Sequence, residues 1–346
     1  MSKLDLSQIV KTEIHVHLEG SIEPETLQKL AIKNHVALPV DNIESLRQYF
    51  KFRDFAQFVA VYKLVCSCLC DPEDFETITY EFGSYMFRQR IKYAEVTFTP
   101  YLHVSKDLPF DNLMDGLSHG RARAEEEFGV KIVWVFDIPR HLPESSWPTL
   151  EYALTSKNRG VVAFGLGGDE ANFPPELFVS AFEQAQEGGL HLVPHAGETR
   201  GPESIWSAIR KLGAERIGHG VRCIEDPVLV DYLVENRIPL EISPTSNIRL
   251  AVYNNYDEHP LRKLYDTGVL ITINSDDPAL FGTSLSQEYG ILQSVFGFSN
   301  EEILEVSLNS VHVSFLSEGE KEKLKKDIIG SFPAKNSNHS YIGILP

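Results

Sequence analysis

The chain is 346 residues long, enough for a large buried core and within the span of a single α/β barrel. Hydrophobic residues make up 42% and charged residues 23%, a balance that excludes disorder over most of the length. Lys and Arg number 32 against 49 Asp and Glu, and the net charge of −17 repels phosphate backbones, which argues against a nucleic-acid partner.

In chain order, residues 1–11 carry no apolar core flanked by basic residues, and no run reaches the ~18 apolar residues of a membrane span, so a cytoplasmic protein with no membrane partner is expected. Residues 13–17 read as a first strand. The segment 18–92 is longer than one crossover needs and holds at least three helices. Within it Phe55, Phe58, Tyr62, Val65 and Leu69 recur at helical spacing over 54–69, and 72–90 opens with a proline suited to a first helical turn. Further strands are expected at 93–98, 131–137, 161–168, 191–198, 216–219, 239–243 and 269–276. Helices are expected at 111–128, 175–186, 202–212, 227–236 and 259–267.

The alternation predicts a parallel sheet, and the strand number predicts a closed (β/α)₈ TIM barrel, α/β in class, with a helical lid inserted after strand one. No linker-like stretch divides the chain, so 1–346 is read as one domain, with the polar segment 331–346 wrapping the surface. Four cysteines make no disulfide framework. Cys66 and Cys70 are expected to share a helix face and Cys68 to point elsewhere, as reduced core thiols and not a zinc knot.

Reactive residues of such barrels sit where strands end. Strand one ends in His15-Val16-His17, strand five in His195-Ala196-Gly197-Glu198, strand six in Gly218-His219-Gly220 and strand eight in Ser275-Asp276-Asp277. Positions i and i+2 share a face, so His15 and His17 can present two imidazoles to one point. Strand eight neighbours strand one and strand five lies across the mouth, so His195 and Asp276 can join them on one ion. Three nitrogens and one carboxylate suit Zn²⁺, with Fe²⁺ or another borderline divalent ion as alternatives, and a position left for water makes such a site catalytic. Strand four carries no lysine to bridge a second metal, so one ion per chain is expected. Its terminal glycines either leave N–H groups open to a ligand or make a tight turn. His191 is read as a satisfied core histidine.

Six segments together resemble the adenosine deaminase family of the amidohydrolase superfamily: His15-Val16-His17-Leu18-Glu19-Gly20-Ser21, Gly167-Gly168-Asp169-Glu170, His195-Ala196-Gly197-Glu198, Arg216-Ile217-Gly218-His219-Gly220, Ser243-Pro244-Thr245-Ser246-Asn247 and Asn274-Ser275-Asp276-Asp277-Pro278. The resemblance implies a barrel with one Zn²⁺ that replaces the exocyclic amine of a small 6-aminopurine by oxygen and releases ammonia. It implies that His15, His17, His195 and Asp276 hold zinc, and that His219 takes a proton from, or orients, the attacking water. Glu198 then protonates the ring nitrogen beside the attacked carbon, Asp277 bonds the opposite ring nitrogen, and the Gly168 N–H donates to the remaining pyrimidine nitrogen. His17 and Glu19 also face the substrate, and Phe55 and Phe58 fall where the family carries an apolar lid helix.

Adenosine deaminases proper usually carry Asp where this chain has Glu19, and that acid contacts the ribose hydroxyls. Glutamate there is similar to adenine deaminases and to aminodeoxyfutalosine deaminases of menaquinone biosynthesis, whereas Phe281-Gly282-Thr283-Ser284-Leu285 resembles the nucleoside-acting members. The expectation is an adenosine or adenosine-like nucleoside, with aminodeoxyfutalosine or free adenine as the alternative and Glu19 selecting the sugar. An amide- or ester-cleaving barrel would use the same metal set, but it has no ring nitrogen that needs Glu198. A non-catalytic scaffold would not keep the whole set, because catalytic residues cost stability.

Overall fold

Strand runs that are apolar on both faces, such as 132–136, need cover on both sides, and a barrel supplies it with its lumen and an outer layer of helices. The computed structural model describes residues 4–52 and 55–333. Asp54, at the start of the expected lid helix, and the tail from 334 lie outside them. Strands β1 (Lys11–His17), β2 (Ile91–Phe98), β3 (Lys131–Pro139), β4 (Val161–Gly167), β5 (His191–Ala196), β6 (Ile217–His219), β7 (Leu240–Ile242) and β8 (Ile271–Ile273) pair in parallel in that order. This is the expected TIM barrel. β8 meets β1 at a bridge between Asp276 and Val16, where the His17 N–H donates to Asp276 O at 2.8 Å and the Asp276 N–H to His15 O at 3.2 Å. Nearby, side chains replace ladder bonds: the Ile14 N–H donates to Asn274 Oδ1 at 3.1 Å and the Ser275 N–H to Glu13 Oε1 at 3.0 Å.

The insert after β1 folds as α1 (Pro24–Lys33), α2 (Ile43–Tyr49), α3 (Phe55–Ser67) and α4 (Pro72–Gln89). One buried carboxylate pins its parts together: Asp74 accepts from Lys33 Nζ (2.7 Å), Asn34 Nδ2 (2.7 Å) and the Cys70 N–H (2.8 Å). The outer layer continues with α5 (Phe110–Phe128), α6 (Ser146–Thr155), α7 (Val179–Glu187), α8 (Pro202–Leu212), α9 (Pro227–Glu235), α10 (Pro244–Arg249) and α11 (Leu261–Asp266). After β8 come α12 (Pro278–Phe281), α13 (Leu285–Ser294), α14 (Asn300–His312) and α15 (Glu318–Ser331). The sequence reading named none of these last four, although the Ser299/Glu302 and Ser317/Glu320 capping boxes that start α14 and α15 are legible signals.

Other departures have local causes. The expected helix 175–186 opens as a 3₁₀ turn, Pro175–Phe178, before α7. β5 is shorter than expected because Gly197, at φ +69°, turns the chain out of the ladder, and β8 stops at Ile273, where side-chain bonds at Asn274 and Ser275 replace the ladder. α3 ends at Ser67, so Cys66 and Cys70 share no helix face, and among the clustered cysteines Cys68 is the fully buried one while Cys70 is exposed. His191, at the amino end of β5, is half exposed, with Nδ1 2.9 Å from Glu215 and its ring stacked on Phe315, and is not a core residue. Among the described residues no single helix is long and apolar enough to cross a membrane.

Candidate active site

The carboxyl ends of β1 and β5 and the turn after β8 bring four donors together. The ligand-capable atoms of His15, His17, His195 and Asp276 lie within 4.8 Å of one another. His17 Nε2 is 3.3 Å from His195 Nε2, and His15 Nε2 and His17 Nε2 each stand 3.4 Å from Asp276 Oδ1. The buried His15 Nε2 has no hydrogen-bond partner among the described residues, which leaves its lone pair available to a cation once the ring is neutral. Burial lowers the pKa of His17 and His195, which keeps them in the neutral form that ligates metal. Gly218 makes room, because a Cβ there would fall 2.9 Å from His15 Cε1 and 3.1 Å from the His195 ring. Asp276 holds a left-handed backbone at φ +63°, a strain of about 1 kcal/mol or more that aims its carboxylate at the cluster.

A buried ion network stands behind His15. Its Nδ1 lies 2.8 Å from Glu241 Oε2, Arg216 Nε donates to Glu241 Oε1 at 2.6 Å, and Arg216 also pairs with Glu95. Burial alone would protonate Glu241, but Arg216 and His15 hold it below the usual carboxylate range. As an anion it accepts the His15 Nδ1–H and leaves Nε2 for metal. This chain runs from β1 through β7 and β6 to β2.

The turn after β5 is fixed by another carboxylate. Glu170 accepts the N–H groups of Gly197 (2.6 Å), Glu198 (3.2 Å), Thr199 (2.9 Å) and Arg200 (2.9 Å), and the buried Arg140 donates to His195 O at 2.5 Å. Glu198 Oε1, buried and without a hydrogen-bond partner, lies 3.7 Å from His219 Nε2. Asp277 Oδ1 is likewise buried and unpaired, and a Cβ on Gly20 would come within 1.8 Å of it, so the glycine is required.

These groups open on a cavity of about 420 Å³ whose polar lining includes His17, Gly168, Glu198, His219 and Asp277. Phe55, Phe58 and Tyr62 from α3, with Leu102 and Leu250, supply its apolar wall. Phe58 stacks on Phe281 at 5.4 Å, which seats the insert against the barrel mouth. Glu19 is buried: its Oε1 accepts from the Thr99 N–H at 3.1 Å and lies 3.0 Å from His103 Nε2, while its Oε2 has no hydrogen-bond partner among the described residues. The carboxylate that reaches the cavity beside it is Asp137, whose Oδ1 accepts from Thr99 Oγ1 at 2.6 Å. Sequence reasoning missed Asp137, Glu241 and Arg216. Asp137 ends an expected strand, and Arg216 and Glu241 are charges inside buried runs, which signals a pairing partner.

The adenosine deaminase family profile matches residues 10–331. The chain belongs to the adenosine deaminase family. Its sequence is 40% identical over 326 residues to an aminodeoxyfutalosine deaminase of Streptomyces avermitilis, covering 93% of this chain and 91% of that protein. It is 34% identical to an adenine deaminase of Acinetobacter baylyi, over 92% and 96% of the two chains. The crystal structure of an adenine deaminase from Arthrobacter aurescens superposes with a TM-score of 0.89 at 31% identity, covering 93% of this chain and 98% of that one. As a member of the family the protein is a hydrolytic deaminase acting on a C–N bond.

Glu198 is a carboxyl of this site whose pKa is raised toward neutrality, which makes it a candidate proton donor. Burial first, then the charges of Asp276 and Glu170, raise the Glu198 pKa to about 8. The carboxyl is thus protonated below that value and loses its proton as pH rises through it. Turnover is expected to hold steady across neutrality and to fall about tenfold per pH unit above the Glu198 pKa. Steady-state ammonia release across pH checks this, and a rate still flat well into the alkaline range excludes Glu198 as the acid.

Proposed function

We propose that the protein hydrolyses the exocyclic amine of an N9-substituted 6-aminopurine of the aminodeoxyfutalosine type, with one Zn²⁺ held by His15, His17, His195 and Asp276. The observation that carries this reading is the cavity: at about 420 Å³ it exceeds what a bare purine fills, and its additional wall is apolar, from Phe55, Phe58, Tyr62 and Leu102. Such a wall suits a sugar that carries an apolar group where adenosine has a hydroxyl. The likeness to the Streptomyces enzyme supports the same substrate class.

Three imidazoles and a carboxylate suit zinc, which when bound acts as a Lewis acid and acidifies water. The chain's own groups do the rest. Glu198, protonated at neutral pH, gives its proton to the ring nitrogen beside the carbon that bears the amine. Asp277, whose pKa burial and the charge of Asp276 raise, meets the opposite ring nitrogen. The Gly168 N–H faces the third nitrogen, and Phe55 and Phe58 exclude water. Glu19 acts through Thr99, and Asp137 presents the carboxylate to the sugar.

Ammonia release measured with adenine, adenosine, methylthioadenosine and aminodeoxyfutalosine tests the assignment. The expected kcat/KM for aminodeoxyfutalosine exceeds that for adenine by at least ~10²-fold, the scale of discrimination when buried polar groups lose their partners. Adenine turned over faster than every nucleoside would replace this reading with adenine deamination.

A further inference from the structure

The segment Ser243-Pro244-Thr245-Ser246-Asn247 has so far no part in the chemistry, yet Asn247 is fully buried between two imidazoles. The direction of every hydrogen bond through it is set at its far end. The Leu261 N–H donates to His259 Nδ1 at 3.2 Å, and a backbone N–H only donates, so that nitrogen carries no proton. The ring proton of His259 is therefore on Nε2, which lies 3.0 Å from Asn247 Oδ1 and donates to it. That bond orients the amide. Asn247 Nδ2 then faces His219 Nδ1 at 3.3 Å and donates to it. An accepting Nδ1 leaves the His219 proton on Nε2, the nitrogen 3.8 Å from Asp276 Oδ2 and 3.7 Å from Glu198 Oε1.

The surroundings hold the relay rigid. Asn247 O accepts the N–H groups of Val252 (2.9 Å) and Tyr253 (3.2 Å), and the His259 ring sits against Tyr253 and Phe296 with centroids at 5.1 and 5.8 Å. Among the described residues no charged side chain bonds His259, and burial lowers its pKa to about 3.

We infer that Asn247 and His259 are positioning residues that lock His219 in the tautomer presenting an Nε2–H donor to the site, so that His219 orients the attacking oxygen by donating to it. Of the two roles the family resemblance leaves to His219, taking a proton from the water or orienting it, the relay selects the second. The inference does not depend on which aminopurine is the substrate.

The experiment is nitrogen-15 NMR of histidine-labelled holoenzyme without substrate, combined with kinetics of three variants. In the native enzyme His219 Nδ1 is expected to show the unprotonated resonance and Nε2 the protonated one. Asn247→Asp replaces the donor with a carboxylate that accepts from both rings, so the His219 proton moves to Nδ1. Its kcat is expected to fall by at least ~10²-fold, with KM and metal content unchanged. His259→Gln can still accept from Leu261 and donate to Asn247, and is expected to keep the native tautomer and lose less than ~3-fold in kcat. His259→Phe frees the amide to rotate, mixes the tautomers and costs about 10-fold, on the scale of one buried hydrogen bond. A protonated Nδ1 in the native enzyme overturns the inference. So does native kcat in Asn247→Asp or, if that variant fails to fold, equal rates and tautomers in His259→Gln and His259→Phe. Because the NMR arm needs no substrate, a wrong substrate assignment fails in the ammonia panel and leaves this result standing.

Discussion

Glu198→Gln is expected to lower kcat by about 10³-fold while leaving the metal in place, within the range lost with a general acid. The substitution is nearly isosteric, and the Glu198 backbone is held independently of its side chain by the bond from its N–H to Glu170 at 3.2 Å. The side chain is 6% exposed, and in the metal-free protein burial with the charges of Asp276 and Glu170 raises its pKa to about 8. Replacing the carboxyl by an amide of the same shape leaves the packing in place. What is lost is a transferable proton, since an amide offers an N–H but cannot release it to a ring nitrogen at useful cost. The prediction therefore separates proton donation from binding: kcat and kcat/KM fall together, whereas elemental analysis still finds one divalent ion per chain. Retention of near-native deamination by this variant would remove Glu198 from the acid role.

How far the sequence shows this site depends on which geometry a residue's role requires. His15 and His17 are legible because their convergence follows from strand parity alone, two positions apart on one face. His195, Glu198, His219, Asp276 and Asp277 are legible because they lie at or just beyond strand ends, and the barrel turns strand ends into one rim. Glu19 shows the limit of that rule. It follows β1 by two residues, but the 3₁₀ turn Glu19–Ser21 commits its Oε1 to the Thr99 N–H and His103, and it is Asp137 that lines the cavity there. The network behind His15 depends on register between strands distant in sequence: Gly218 opposite Glu241 and Ile217 opposite Leu240 set Arg216 beside Glu241. Register is a property of the closed barrel, and no local pattern reports it. The relay from His259 to His219 is harder still, because it joins a strand end, α10 and a residue two positions before α11 through hydrogen-bond direction alone.

His15→Ala is expected to lose metal and activity together, and the metal-free protein tells why. Burial alone would keep His15 neutral, but the facing carboxylates of Asp276 and Glu241 outweigh burial and raise its pKa to about 10 in the metal-free protein. The ring is thus protonated at neutral pH until an ion arrives, and its Nε2 proton must leave for the metal to bind. The sign follows. Below the His15 pKa each unit of rising pH removes a competing proton, so apparent metal affinity climbs about tenfold per unit for the one proton displaced. Calorimetry of metal addition to the stripped protein, run in buffers of different ionisation enthalpy, counts that proton. Glu241→Gln removes the anion behind the ring but keeps every ligand, and is expected to weaken metal about 10- to 100-fold, with activity restored by excess metal. His15→Ala removes a ligand, weakens metal by more than ~10²-fold and is not rescued in this way. Two equivalents of metal in an active enzyme, or full activity after complete removal, would overturn the single-metal site, and metal uptake with no proton release would overturn the protonated His15 beneath it.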